Sequence, residues 1–220
     1  MSGLDAFVGL VGSATLQTLA MVGLSTVLSL VLGFPLGILL CITDTGNIAP
    51  HPVLNQILSR IVNALRSFPF IILMILLFPL SRIIVGTSIG TVATIVPLSV
   101  AAAPFVARII ESALNEVDPG VIQAARAMGS RNTQIIFRVM IPESLPALVD
   151  GITLTIINLI GYSAMAGAIG GGGLGDLAIR YGYQRFRSDI MLAAVIIILV
   201  LVEAIQFAGT KISKKLLANR

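Results

Sequence analysis

Residues 123–146, QAARAMGSRNTQIIFRVMIPESLP, form a long polar interruption in a chain of 220 residues that is otherwise mostly apolar. Apolar residues recur within the stretch at helical spacing, which predicts two short amphipathic helices. Gly129 is expected to end the first helix in a left-handed conformation, and Ser130 to cap the second. Pro142 is expected to stop that second helix. The stretch therefore predicts a small helical hairpin between longer apolar segments.

The apolar segments predict an integral membrane protein with an all-α fold. Hydrophobic residues make up 56% of the chain and charged residues only 11%, whereas soluble domains carry about 25% charged residues. An apolar helix of about 20 residues spans the hydrocarbon layer. On this basis, residues 1–220 are expected to form a single transmembrane domain, with a bend at Pro69. Its five spans are predicted near residues 16–42, 57–80, 89–107, 152–167 and 190–207.

The distribution of basic residues predicts the orientation in the membrane. Five spans place the termini on opposite sides, and cytoplasmic loops carry the excess of Lys and Arg. One side holds ten basic residues, namely Arg60, Arg66, Arg108, Arg126, Arg131, Arg138, Lys211, Lys214, Lys215 and Arg220. The other side holds four, namely Arg82, Arg180, Arg185 and Arg187. The polar hairpin and the C-terminus are therefore expected in the cytoplasm, and the N-terminus outside.

The hairpin resembles the loop that marks permease subunits of ATP-binding-cassette importers. The resemblance lies in Gln-Ala-Ala at 123–125, in Gly129, and in the run Val-Met-Ile-Pro at 139–142. The family loop usually begins with Glu, so Gln123 replaces a charge with an amide. The resemblance implies that residues 118–146 dock onto a separate ATPase subunit. The residues expected at that contact are Gln123, Ala124, Ala125, Arg126, Gly129, Ser130 and Pro142.

The hairpin allows two other interpretations. Ala125, Gly129 and Ile135 fit the spacing of a DNA-binding helix-turn-helix. The bracketing apolar spans and the thin basic charge argue against nucleic acid as a partner. The hairpin can also be an amphipathic segment lying on the lipid surface.

Further stretches narrow the resemblance to methionine-type importer permeases. They are residues 65–70, LRSFPF; 85–90, VGTSIG; and 161–176, GYSAMAGAIGGGGLGD. The resemblance implies a bacterial inner-membrane complex that imports D- or L-methionine or a related amino acid. Its expected members are two copies of this permease, two cytoplasmic ATPases that bind ATP and Mg²⁺, and an external substrate-binding lipoprotein. No cofactor and no metal are expected in this chain.

The fourth predicted span is expected to meet its counterpart in the second copy. Small residues allow close helix packing in membranes, which suggests Gly161, Ala164 and Gly167 for that interface. Residues expected to line the pathway are Tyr162, Ser163 and Met165, with the flexible thioether of Met165 as a gate. Gly170, Gly172 and Gly175 match GxGxxG, but without a preceding strand a dinucleotide site is disfavoured. A turn buried against another subunit is the preferred interpretation of this segment.

The energy source is expected to be a separate chain. The sequence has no GxxxxGK[ST] motif for binding ATP, and Glu203 is the only acid well inside a predicted span. Its role stays open, with snorkelling or pairing near the inner surface as the simpler explanation. Two alternatives to an importer permease remain: a stand-alone secondary transporter or channel, and a membrane scaffold that transports nothing.

Overall fold

The computed structural model describes residues 3–218, and all regular structure in that range is helical. The elements are α1 Gly3–Thr43, α2 Pro52–Ser67, α3 Phe70–Val85, α4 Thr91–Asn115, α5 Pro119–Ala127, α6 Asn132–Ile135, a π-helical turn Ile136–Met140, α7 Ile141–Gly167, α8 Gly173–Leu177, a second π-helical turn Ala178–Tyr183, and α9 Ser188–Ala218. Arg220, counted above in the cytoplasmic charge, lies outside the described residues.

Four helical stretches within the described range are long and apolar enough to cross a membrane, or five if a bent pair counts as one span. The four are Phe7–Thr43, Thr91–Asn115, Asn132–Gly167 and Ser188–Ala218. All four are longer than the spans predicted from the sequence. The chain is a multi-pass helical membrane protein.

The second predicted span, residues 57–80, is not one continuous helix. It divides into α2 and α3, whose axes differ by 106°. Pro69 lacks a backbone N–H and disfavours helical backbone at the preceding residue. Phe68 accordingly adopts an extended conformation with φ −71° and ψ 135°. The bend expected at Pro69 is confirmed, and it is a full break in the helix.

Helix α4 occupies the centre of the fold, in contact with α1, α2, α3 and α7. Two glycines of α1 bring it close to α4: Cβ atoms on Gly33 and Gly37 would lie 2.7 and 2.6 Å from the carbonyl oxygens of Ala103 and Ala107. These glycines form a GxxxG spacing, a known signature of close helix packing in membranes. The spacing is visible in the sequence and could have indicated this contact, which was not predicted.

Pro142 does not stop the helix that begins at Asn132. The helix continues through the π-helical turn into α7, so that 36 consecutive residues are helical. Within the turn, the N–H of Ile141 donates to the carbonyl of Ile136. The hydrogen-bond ladder thus shifts by one residue just before Pro142, which has no N–H to contribute. The expectation of a stop at Pro142 was wrong.

The glycine-rich segment 170–175 packs largely against its own chain. The N–H groups of Gly173 and Leu174 donate to the side-chain oxygens of Gln17 and Thr18, each at 2.8 Å. Helix α8 is thereby fixed between α1 and α7. These contacts lie within the chain, and burial of the turn against a second subunit stays a prediction.

Candidate functional site

The polar hairpin has the two-helix form predicted for it. Asp118 caps α5, its carboxylate accepting a hydrogen bond from the N–H of Gly120 at 2.6 Å. Gly129 has φ +81°, a left-handed conformation that glycine enters without steric cost. Its N–H donates to the carbonyl of Arg126 at 2.9 Å, and the N–H of Ser130 donates to that of Ala125 at 3.1 Å. This bond pair is a Schellman motif, so the predicted helix end at Gly129 is confirmed.

Ser130 does not cap the second helix of the hairpin. Its N–H completes the Schellman motif, so the next helix begins one residue later than predicted. Arg131 takes the N-cap position of α6. The backbone N–H of Arg131 donates to Oε1 of Gln134 at 2.8 Å. Ser130 therefore belongs to the turn between the two helices.

A hydrophobic cluster anchors the hairpin to the membrane helices. Ala125, Ile135 and Met140 are buried together with Ile110 and Leu114 of α4. Burial of apolar area at about 25 cal/mol per Å² makes this contact a stable one. Ala125 thus faces the chain itself, which corrects its predicted place at the ATPase contact.

Arg126 contacts its own chain as well. Its guanidinium Nη2 donates to the carbonyl of Ile48, in the turn after α1, at 2.5 Å. The side-chain amide of Asn132 donates to the same carbonyl at 3.4 Å. These bonds tie both helices of the hairpin to one point of the α1–α2 connection. Between hairpin and connection lies a cavity of about 320 Å³, lined in part by Gln123.

The outer face of the hairpin carries large apolar side chains with no cover. Met128 is 80% exposed and Phe137 is 63% exposed, and Val121 and Ala124 are exposed beside them. We call these four residues, together with the exposed Gln123, the coupling surface. Val121, Ala124 and Met128 lie at helical spacing on one face of α5 and its C-cap. Exposed apolar side chains grouped on an otherwise polar segment are typical of a protein–protein contact. The coupling surface therefore has the chemistry of a docking site.

Helix α7 carries a second uncovered stripe near its C-terminal end. Gly161 and Met165 lie one turn apart on this exposed face, and Met165 is 49% exposed. No described atom lies within 4 Å of where a Cβ on Gly161 would stand. The predicted pathway residue Tyr162 is half-buried and stacks on Phe70, with 4.1 Å between ring centroids.

Two other positions predicted on α7, Ser163 and Gly167, are buried in the chain, and Ala164 is half-buried. Ser163 is 2% exposed, and its hydroxyl donates to the carbonyl of Ile160 at 2.7 Å. A Cβ on Gly167 would overlap the backbone of Gly175. A Cβ on Gly175 would in turn overlap the carbonyl of Ala164. Ala164 and Gly167 therefore allow α8 to pack within this chain. Ser163 and Gly167 are buried there, whereas a dimer contact of half-buried Ala164 stays a prediction.

Known proteins resemble this chain over almost its whole length. Residues 33–216 match the family described as "Binding-protein-dependent transport system inner membrane component". The probable D-methionine transport system permease protein MetI of Vibrio cholerae is 47% identical over 92% of this chain and 90% of its own length. The methionine import system permease protein MetP of Bacillus subtilis is 47% identical over 80% of this chain and 79% of its own.

A solved structure shows the same architecture. One chain of the MetNI methionine ABC transporter, in an inward-facing conformation, superposes with a TM-score of 0.95 and 45% identity. The superposition covers 98% of this chain and 99% of that one. Agreement at this level covers both the hairpin and the membrane helices. The chain belongs to the family of binding-protein-dependent transport system inner membrane components.

Proposed function

We propose that this chain is the permease subunit of an ATP-driven importer for methionine, in its D or L form, or for a closely related amino acid. The coupling surface is the observation that carries the proposal, because it presents uncovered Met128 and Phe137 on an anchored hairpin. The likeness to MetI, MetP and MetNI supports the substrate. The chain itself is not an enzyme, and hydrolysis takes place in partner subunits.

The partners proposed are a second copy of this chain, two cytoplasmic ATPases and an external substrate-binding lipoprotein. The ATPases bind ATP and Mg²⁺ and dock at the coupling surface. The complex lies in a bacterial inner membrane, with the C-terminus in the cytoplasm and the N-terminus outside. Two copies enclose the pathway, because one chain offers too few spans to surround it. Gly161 lies at the contact between the copies.

The continuous helix of residues 132–167 provides a mechanical link between the coupling surface and the pathway. Phe137, on the coupling surface, and Met165, near the outer end, are 28 residues apart in it, or about 42 Å at 1.5 Å per residue. The hairpin is fixed to α4 by buried side chains and to Ile48 by Arg126. A displacement of the docked ATPase therefore moves the hairpin as one body. The displacement reaches the outer end of α7 through this helix.

The proposed function is tested by purifying the tagged chain from its native membrane in mild detergent. We expect an ATPase subunit and a lipoprotein to copurify. After reconstitution into liposomes, the complex should take up labelled methionine only when ATP is supplied. Active recovery of this chain alone would contradict the proposal and indicate a secondary transporter or channel.

The proposed gate at Met165 gives a second expected result. Met165→Ala shortens an exposed, polarizable side chain, so substrate leakage should rise or the ratio of ATP hydrolysed to methionine transported should increase. Met165→Leu retains most of the volume and serves as the control. Both quantities are measured in liposomes that contain the complete complex. A Met165→Ala variant that resembles wild type in both would show that Met165 is a packing residue.

A further inference from the structure

A cavity of about 490 Å³ lies at the break between α2 and α3, where α4 and α7 pack against it. Its lining includes Asn63, Arg66, Ser67, Phe70, Phe105 and Tyr162. Phe105 lies in the interior of α4, away from both ends of that helix. Pockets for small molecules typically measure about 300–1,000 Å³. The cavity therefore borders α4, a helix long and apolar enough to cross a membrane, and it has room for an amino acid.

Arg66 supplies a positive charge to this cavity without a counter-charge. The ion pairs between described residues are Arg108–Glu111, Arg180–Asp176 and Arg187–Asp189, and none includes Arg66. Its guanidinium instead lies 6.0 Å from the ring centroid of Phe105. If α2 and α3 are taken together as one bent span, a charged group within it is costly and often serves binding or transport. Arg66 is therefore available to a ligand with negative charge.

The remaining walls are aromatic or neutral polar. Phe70 and Tyr162 stack nearly parallel, with 7° between their ring planes. The hydroxyl of Ser67 donates to the backbone carbonyl of Asn63 at 2.8 Å, so its oxygen lone pairs remain available as acceptors. No Asp or Glu is among the lining residues. A ligand with one carboxylate and an apolar side chain matches this arrangement better than a ligand with a second cationic group.

We propose that this cavity is a transit site for the transported amino acid, an inference that rests on the proposed import function. The carboxylate binds the guanidinium of Arg66, which suits paired hydrogen bonds to a planar anion. An apolar or thioether side chain lies against the Phe70–Tyr162 stack. The break at Phe68–Pro69 places Arg66 and Phe70 on two different helices around the cavity. A change in the angle between α2 and α3 would therefore open or close the site.

The phosphate of an anionic lipid offers Arg66 similar chemistry, so the test must separate two sources of the anion. Equilibrium binding of labelled L-methionine is measured on the permease–ATPase complex in nanodiscs, without the external binding protein. One set of nanodiscs contains only phosphatidylcholine, and the other includes phosphatidylglycerol. Methioninol, in which an alcohol replaces the carboxylate, is used as a competitor. Uptake into liposomes by the full complex is measured in parallel.

We expect saturable binding that methionine displaces and methioninol does not, with equal affinity in both lipids. Arg66→Gln should weaken this binding about tenfold or more, and Arg66→Lys, which keeps the charge but not the planar fork, should be intermediate. Arg60→Gln is the matched control, because Arg60 is also exposed on α2 but does not line the cavity. Copurification of the ATPase reports whether each variant assembles.

Suppose that the Arg66→Gln complex assembles, binds methionine with unchanged affinity and copurifies with less anionic lipid. That result would identify a lipid site and overturn the inference. The transit-site inference would also be overturned if the Arg66→Gln and Arg66→Lys complexes took up methionine as fast as the wild type. The proposed import function would then still stand. A wild-type complex that takes up no methionine at all would instead contradict the proposed function.

Discussion

Gly129→Val is expected to leave the protein in the membrane and to uncouple ATP hydrolysis from methionine uptake. Gly129 has φ +81°, a region that costs an L-residue about 1–2 kcal/mol and a β-branched residue more. No described atom lies within 4 Å of the added Cβ, so the damage is limited to the backbone of the turn. A changed turn misplaces Met128 and the rest of the coupling surface relative to the ATPase.

The measurement is methionine uptake per ATP hydrolysed in liposomes. Gly86→Val is the matched control, because Gly86 has φ +84° and equally open surroundings but ends α3, far along the chain from the hairpin. Its variant carries similar backbone strain and should retain coupling. Normal uptake per ATP in Gly129→Val would refute the docking role of the hairpin.

Gly175→Val is expected to prevent stable folding. A Cβ at Gly175 would overlap the backbone of Ala164, and backbone atoms cannot move aside as a flexible side chain can. Overpacking a tight contact typically costs 1–3 kcal/mol and sometimes more. The added side chain would push α8 away from α7 and weaken the hydrogen bonds from Gly173 and Leu174 to α1. We expect little protein in the membrane, and a lower Tm in detergent for what remains.

Gly161→Val provides the comparison, because the space around Gly161 is open within the chain. This variant should keep the Tm of the single subunit and weaken the association of two copies, measured by light scattering in detergent. A Gly175→Val protein with wild-type abundance and Tm would show that α8 does not pack as the structure describes.

Local sequence was sufficient for the features that depend on one or two residues. Asp118 caps a helix and Gly129 ends one because capping and left-handed backbone depend on the residue itself. Pro69 breaks a helix because its ring removes a donor and restricts its neighbour. The long apolar segments likewise predicted membrane helices, because hydrophobicity and length decide whether a helix can span.

Predictions about the direction in which a side chain points were less successful. Ala125 was predicted at the contact with a partner, yet it is buried against α4. Arg126 remains exposed although it binds Ile48, so its predicted partner contact is untested. Helical periodicity defines faces of a helix but does not say which neighbour covers each face. The neighbours here come from residues 48 and 110–114, far from the hairpin in sequence.

The sequence by itself determined the class of protein, the location of the hairpin and the ends of its first helix. Only the tertiary structure decided that Gly167 packs against α8 while Gly161 remains open, although both are small residues on α7. It alone gathered Arg66, Phe105 and Tyr162 around one cavity. The physical reason is that composition and backbone preference act within a few residues. Close packing, by contrast, depends on which helices the folded chain brings together.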